Sequence, residues 1–317
     1  MVSIGLIGYG YWGPNLARNI GASKTCRLAA IADPAPLCLA AAGRTHPGVT
    51  LLPNGGDLIA DPYIDAVVVA TPAQSHFELA MAALRAGKHV LVEKPLARTS
   101  DQALALIEES QRRGLVLMVD HTYVFSPAIG KIAETVQSGG LGDLQRWDSA
   151  RLNLGLVRND VNVVWDLAAH DFGILDHVLS APPSALRATG VRPDGADAEH
   201  LAEVTLDFPG GLIAHITVSW ISPIKVRRTL ITGSRGTLVY DDQRADALTI
   251  HERAVPLDAA EPLSRAIDHF AGCVSRHERP MVDGEAGLRV IRLLEAADQS
   301  LRRSGQVVSL DADRVVV

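Results

Sequence analysis

The chain has no run of lysines or arginines, and over its 317 residues Asp and Glu outnumber Lys and Arg by 36 to 30, a formal net charge of −6. Surfaces that bind nucleic acid or anionic membranes need clustered positive charge, so neither is expected as a partner. Cysteine is scarce: Cys26, Cys38 and Cys273 are odd in number and lack C-x-x-C or zinc-type spacing, which argues against a disulfide framework and a cysteine metal site. They read as small core residues of a reducing compartment. The histidines are scattered, without H-x-x-x-H or H-E-x-x-H spacing, so no metal is expected. No apolar run approaches the roughly eighteen residues of a membrane span. The N-terminus carries neither a basic leader nor a cleavage site, and the expected location is the cytoplasm. Internal repeats and low-complexity segments are also missing.

What is present is a globular composition, 47% apolar and 21% charged. The length exceeds what one core usually fills, so two domains are expected, residues 1–120 and 121–317. A short apolar strand over residues 4–7 runs into Gly8-Tyr9-Gly10-Tyr11-Trp12-Gly13, and a helix can follow from Pro14. Glycines between a strand and a helix permit a tight turn, close backbone approach to a pyrophosphate, and an anion at the helix N-terminus. A second strand, residues 28–32, ends in Asp33, twenty residues beyond Gly13, where a carboxylate accepts hydrogen bonds from an adenosine ribose. It would also repel a 2′-phosphate, so NAD is favoured over NADP.

Alternation of strand and helix continues as in a doubly wound α/β sheet. Apolar strands at 66–70, 89–92 and 115–119 alternate with helices opened by the capping boxes Ser75/Glu78 and Thr99/Gln102. Ligands of such sheets bind outside the carboxyl ends of the strands. The Gly8–Gly13 loop with Tyr11 and Trp12, Asp33, Thr71, Pro72 and His76, and Glu93-Lys94-Pro95 all lie at carboxyl ends and should line one crevice. Lys94, pinned between a buried strand and a proline, is either held stiffly in that crevice or is a solvated loop lysine. Pro95 is a candidate for a cis bond. His76 belongs near a nicotinamide or makes only local bonds.

After Asp120 the pattern changes to β-rich stretches at 144–154, 201–208, 212–220, 226–232 and 236–240, several without intervening helices, so an antiparallel or mixed sheet is expected. A helix over 165–179 carries Trp165-Asp166-Leu167-Ala168-Ala169-His170-Asp171. At helical spacing Asp166 and His170 share a face, and a carboxylate there orients an imidazole whose pKa lies near neutrality. Arg151, Asn153, Arg158 and Asn162 precede this helix; they contact a diphosphate or sugar hydroxyls, or are exposed strand-face and loop polars. Tyr123 and His121 are candidates for the floor of a sugar site. Helices over 262–276 and 284–302 and a strand near Val307 close the chain.

Taken together, Gly8-x-Gly10-x-x-Gly13, Thr71-Pro72 with His76, Glu93-Lys94-Pro95, and Asp166 with His170 resemble the Gfo/Idh/MocA family through essentially the whole chain. The resemblance implies an N-terminal Rossmann domain and a C-terminal α/β domain whose large, open, mostly antiparallel sheet builds a homodimer or homotetramer. It implies catalysis by Lys94, Asp166 and His170. Gly10-Tyr11-Trp12-Gly13 and the segments 151–155 and 160–165 are most similar to the branch that oxidises C3 of nucleotide-linked sugars of the UDP-N-acetyl-hexosamine type. Asp120 departs from the pattern, since relatives commonly carry glycine after the last Rossmann strand. The expected activity is NAD-dependent hydride transfer at a sugar carbinol. The alternatives are an inositol or free-sugar dehydrogenase, an NAD-dependent redox-type glycosidase, or a dinucleotide-binding regulator without catalysis.

Overall fold

The structure is a computed structural model that describes residues 1–155, 157–158 and 161–310. Two compact units divide the chain. One comprises Met1–Phe125 with Ala260–Ile291, the other Ser126–Ala259 with Arg292–Val317. The late segment Ala260–Ile291 clusters with the first unit, and the boundary at Ile291 falls within the helix Gly284–Arg302.

The first unit is built on six parallel strands, β1 (Val2–Ile7), β2 (Cys26–Ala32), β3 (Thr50–Leu52), β4 (Ala66–Val69), β5 (His89–Glu93) and β6 (Leu117–Asp120), in the order β3-β2-β1-β4-β5-β6. Every residue of β1 and β4 is buried, as expected of parallel strands covered on both faces. The strand order reverses between β1 and β4, the position where such sheets open a crevice. The three-residue β3 and the short helix Gly55–Ala60 are elements too brief for periodicity to announce. Helix Ser100–Arg113 is capped by Thr99, whose hydroxyl accepts from Gln102 N at 3.2 Å, and ends at Gly114 with φ +65°. The expected Ser75 cap does not form. Ser75 Oγ donates to Thr71 Oγ1 at 2.8 Å and approaches Pro72 O at 3.0 Å, because a 3-10 turn at Ala73–Ser75 precedes the helix and takes the hydroxyl.

Helix Pro262–Arg276 packs within this unit. Glu261, just before it, receives both guanidinium nitrogens of Arg18 at 2.9 and 2.7 Å, and Asp268 accepts the hydroxyls of Ser23 and Thr25.

The second unit carries nine strands, β7 (Leu144–Leu154), β8 (Ala185–Val191), β9 (Leu201–Asp207), β10 (Ile213–Ser219), β11 (Ile221–Gly233), β12 (Gly236–Asp241), β13 (Leu248–Ile250), β14 (Arg253–Ala254) and β15 (Val308–Ser309), in the order β14-β13-β12-β11-β7-β10-β9-β8-β15. Among the described residues of this sheet only β7 and β10 pair in parallel; the other pairings are antiparallel. Ala202, Val204 and Leu206 of β9 and Ala214, Ile216 and Val218 of β10 alternate into the core, the two-residue period of a sheet with one packed face. The β9–β10 hairpin turns through Gly210 and Gly211, at φ +83° and +88°, a left-handed conformation suited to glycine. Among the described residues, no helix is long and apolar enough to cross a membrane.

The turn after β1 is the tightest point of the first unit. Gly8 has φ +101°, and a Cβ there would lie 2.5 Å from Ala70 O. A Cβ on Gly13 would lie 2.3 Å from Gly8 O. Both clashes are with backbone, which cannot rotate aside. Gly13→Ala is expected to destabilise the chain by about 1–3 kcal/mol, the usual cost of overpacking, measured by urea unfolding; an unchanged midpoint would show that the turn yields freely.

Candidate active site

Within the first unit, the Gly8–Gly13 loop ends at helix Gly13–Ala22, which starts with a proline in its first turn and has no acidic residue there. Trp12 occupies the N-cap position without a side-chain cap bond, so no side chain covers the positive end of the helix dipole, although Pro14 has no N–H and Asn15 N donates to Trp12 O at 3.0 Å. A Cβ on Gly10 would meet nothing within 4 Å, leaving open space over the loop backbone. Tyr11 is 93% exposed, whereas Tyr9 is buried against His46. Asp33 is buried, with Oδ2 accepting from Tyr9 N at 2.7 Å and Oδ1 from Ala35 N at 2.8 Å. These bonds fix the carboxylate at the end of β2 and leave each oxygen a second lone pair for a ribose hydroxyl. Glycines where a Cβ cannot fit, an uncapped helix start and an oriented carboxylate together suit a dinucleotide.

At the end of β4, His76 is buried with Nε2 2.8 Å from Thr71 O and Nδ1 2.7 Å from Pro95 O. Both partners are carbonyl oxygens, which accept a ring N–H. His76 thus ties the Thr71-Pro72 turn to the Glu93-Lys94-Pro95 turn. The Lys94–Pro95 peptide is cis.

Glu93 and Asp120 end the neighbouring strands β5 and β6 and stand opposite one another in register. Glu93 Oε2 accepts from Lys94 N at 3.2 Å, and Asp120 Oδ1 accepts from Thr122 Oγ1 at 2.8 Å. Burial foremost, then the charge of Asp120, pushes the Glu93 carboxyl well above the usual range, while Lys94 draws it down. Burial also raises Asp120, against bonds from Glu93 and Thr122 and the nearby Trp12 indole that favour its ionised form. The Trp12 N–H is itself buried without a well-formed hydrogen bond among the described residues. His121 is buried, and its pKa is lowered to about 4 by desolvation and then by Lys94, so its imidazole is neutral near pH 7. Tyr123 is half-buried in the turn Thr122–Phe125.

In the second unit the expected helix over 165–179 is replaced by a π turn, Val164–Ala168, followed by α-helix Ala169–Val178. A π turn inserts one residue into the helical ladder, and such bulges concentrate at functional sites. Its start is capped by Asn162, whose Oδ1 accepts from Val164 N and Trp165 N at 3.1 Å each. Asn162 Nδ2 and Trp165 Nε1 both donate to Asp298, at 2.8 and 2.9 Å. Asp166 lies in the π turn and accepts from the buried indole of Trp220 at 2.9 Å; Arg158 Nη1 stands 3.9 Å from its other oxygen. His170, half-buried, follows in the first turn of the α-helix.

Arg151 donates to Asp171 at 3.1 Å, an ion pair buried on both sides. Asn153 Oδ1 is buried and, among the described residues, receives no hydrogen bond. Arg158 is exposed. Asn162 and Arg151 therefore spend described hydrogen bonds on the protein itself. Asp160 of the sequence motif lies outside the described residues. The partners that sequence reasoning missed, Trp220, Asp298 and Asp171, come from distant positions; a buried indole announces its need for an acceptor but not which one. Thr122 and the pairing of Asp120 with Glu93 were likewise hidden until β5 and β6 were set in register.

Two family models match the chain: an oxidoreductase family with an NAD-binding Rossmann fold over residues 2–121, and a GFO/IDH/MocA C-terminal domain over residues 129–239. UDP-N-acetylglucosamine 3-dehydrogenase of Acidithiobacillus ferrooxidans is 29% identical over 72% of this chain and 76% of its own length. A solved structure of that enzyme superposes with a TM-score of 0.86 at 28% identity, covering 96% of this chain and 98% of the other. Inositol 2-dehydrogenase 2 of Saccharopolyspora erythraea is 30% identical over 68% of this chain and 66% of its own length. A crystal structure from Magnetospirillum magnetotacticum MS-1 matches with a TM-score of 0.85 at 32% identity, over 93% of this chain and 98% of the other. With a Rossmann unit whose glycine turn and Asp33 suit a dinucleotide and a second unit of the matching domain type, the chain belongs to the GFO/IDH/MocA family of oxidoreductases.

Proposed function

We propose that this oxidoreductase uses NAD to oxidise, reversibly, the C3 hydroxyl of a nucleotide-linked sugar. The observation that carries the cofactor assignment is the Gly8–Gly13 turn opening onto an uncapped helix beside the fixed carboxylate of Asp33. No Lys or Arg stands among residues 34–37, and a carboxylate at Asp33 opposes a 2′-phosphate. The sugar class rests on the similarity to the UDP-N-acetylglucosamine enzyme. A second reading, oxidation of an inositol, is supported by the 30% identical inositol relative. We place the protein in the cytoplasm, on its free cysteines, and as a homodimer or homotetramer, on the family's use of the open sheet.

Bound NAD supplies the hydride acceptor. His170 takes the hydroxyl proton. Lys94 supplies a cation for the charge that develops on the substrate oxygen. Asp166, held by the Trp220 indole, sets the orientation of the imidazole. Gly8, Gly10, Tyr11, Trp12 and Gly13 surround the pyrophosphate, Asp33 holds the adenosine ribose, and Thr71, Pro72 and Glu93 line the nicotinamide side. Tyr123, Asn153 and Arg158 are the candidates for substrate contact, Arg being suited to phosphate. Arg151 and Asn162 act by holding Asp171 and the π turn.

The test is nicotinamide absorbance with NAD or NADP and a panel of nucleotide sugars, inositols and free sugars. Signal with NAD and a nucleotide sugar is expected; signal with inositols alone would replace the substrate, and signal confined to NADP would remove the role given to Asp33. Lys94→Ala and His170→Ala are each expected to lower turnover by at least about a hundredfold, the lower end for acid–base catalysis, while calorimetry still detects NAD binding. Unchanged turnover in both variants would sink the catalytic assignment.

A further inference from the structure

The dehydrogenase reading gives Asp120 no task. Two of the four oxygens of Glu93 and Asp120 have protein donors, Lys94 N and Thr122 Oγ1. The other two, Glu93 Oε1 and Asp120 Oδ2, are buried and, among the described residues, receive none. Parallel register sets the two residues side by side at the ends of β5 and β6. Two adjacent buried carboxylates repel one another and lose their hydration. A single proton converts two orphaned acceptors into a donor and an acceptor.

We propose that Glu93 and Asp120 hold one proton between Oε1 and Oδ2, so that the pair is one buried negative charge that positions and balances Lys94. The groups facing it agree with that count. Burial raises both carboxyls, and the charge of Asp120 adds to the rise at Glu93. Lys94 is the nearby cation that draws Glu93 down, His121 is neutral near pH 7, and the Trp12 indole and Thr122 hydroxyl favour charge on Asp120. His76, bonded to Pro95 O, adds its ring on the other side of the Lys94 turn. The link to Lys94 rests on the proposed dehydrogenase reading; the shared proton does not.

The experiment is urea unfolding of the full chain, without added nucleotide, between about pH 5 and 7, for the native sequence, Asp120→Asn and Glu93→Gln. In the unfolded chain both carboxyls titrate near 4. The folded pair has a raised pKa, so the stability its proton contributes is full below the unfolded value near 4 and is lost as pH rises from there to the folded pKa. Relative to either amide variant, which supplies an N–H and needs no shared proton, the native folding constant is expected to fall about tenfold per pH unit. A ratio independent of pH for both variants would overturn the shared proton, whatever the enzyme oxidises.

Should either variant not fold, ¹³C NMR of the native side-chain carboxyls reads the same proton: one carboxyl still protonated above about pH 6 supports it, and all titrating near 4 overturns it. For Lys94, each single amide leaves one negative charge, whereas Glu93→Gln with Asp120→Asn leaves none. The basic limb of kcat/KM is expected to stay in place in the singles and move to lower pH in the double. A limb that moves equally in singles and double, or in none, overturns the balancing role.

Discussion

Everything in the first unit depends on how closely the backbone passes itself after β1. With Gly8 at φ +101° and Gly13 set so that any Cβ would strike Gly8 O at 2.3 Å, the chain turns from strand into helix within a handful of residues. That turn aims the uncapped start of helix Gly13–Ala22 past the carboxyl end of β1. Tyr9 N, inside the same turn, holds Asp33 of the neighbouring strand. One steric constraint thus places the helix start and the Asp33 carboxylate together, and the parallel register of β4, β5 and β6 adds Thr71, Glu93 and Asp120 at the same edge.

The second unit handles its polar residues differently, by tethering each to a distant partner. The π turn at Val164–Ala168 is capped by Asn162 and fastened through Trp165 and Asn162 to Asp298. Burial raises the Asp298 carboxyl, and the two donors offset that rise. Asp166 is fastened to the buried Trp220. A carboxylate held in this way has its direction set before substrate arrives, the kind of preorganisation that acid–base catalysis uses.

The fold was legible in the sequence where local chemistry alone decides it: the glycine turn, the fully apolar parallel strands, the Thr99 cap and the Gly114 stop. The wider partition was less legible. Helix Pro262–Arg276 was visible as a helix, yet its membership of the first unit depends on Arg18 meeting Glu261 and on Ser23 and Thr25 meeting Asp268, pairs more than two hundred residues apart. At the candidate site, Asp166 and His170 were visible by spacing, but an inserted residue that makes a π turn leaves no periodic signal over five positions. Arg151 and Asn162 read from sequence either as ligand contacts or as exposed polars, and neither reading names Asp171 and Asp298 as their partners. Asp120 stood out only as an odd residue; its meaning came from the strand beside it.

The central claim is that the chain moves a hydride from a sugar carbon to NAD. Transfer of deuterium tests this most directly: incubation with NAD and UDP-N-acetylglucosamine carrying deuterium at C3, followed by mass spectrometry of the reduced cofactor. The account predicts reduced nicotinamide that carries the deuterium. Reduced nicotinamide without deuterium would contradict the carbon assigned, and loss of substrate deuterium to water with no reduced cofactor would contradict net hydride transfer itself.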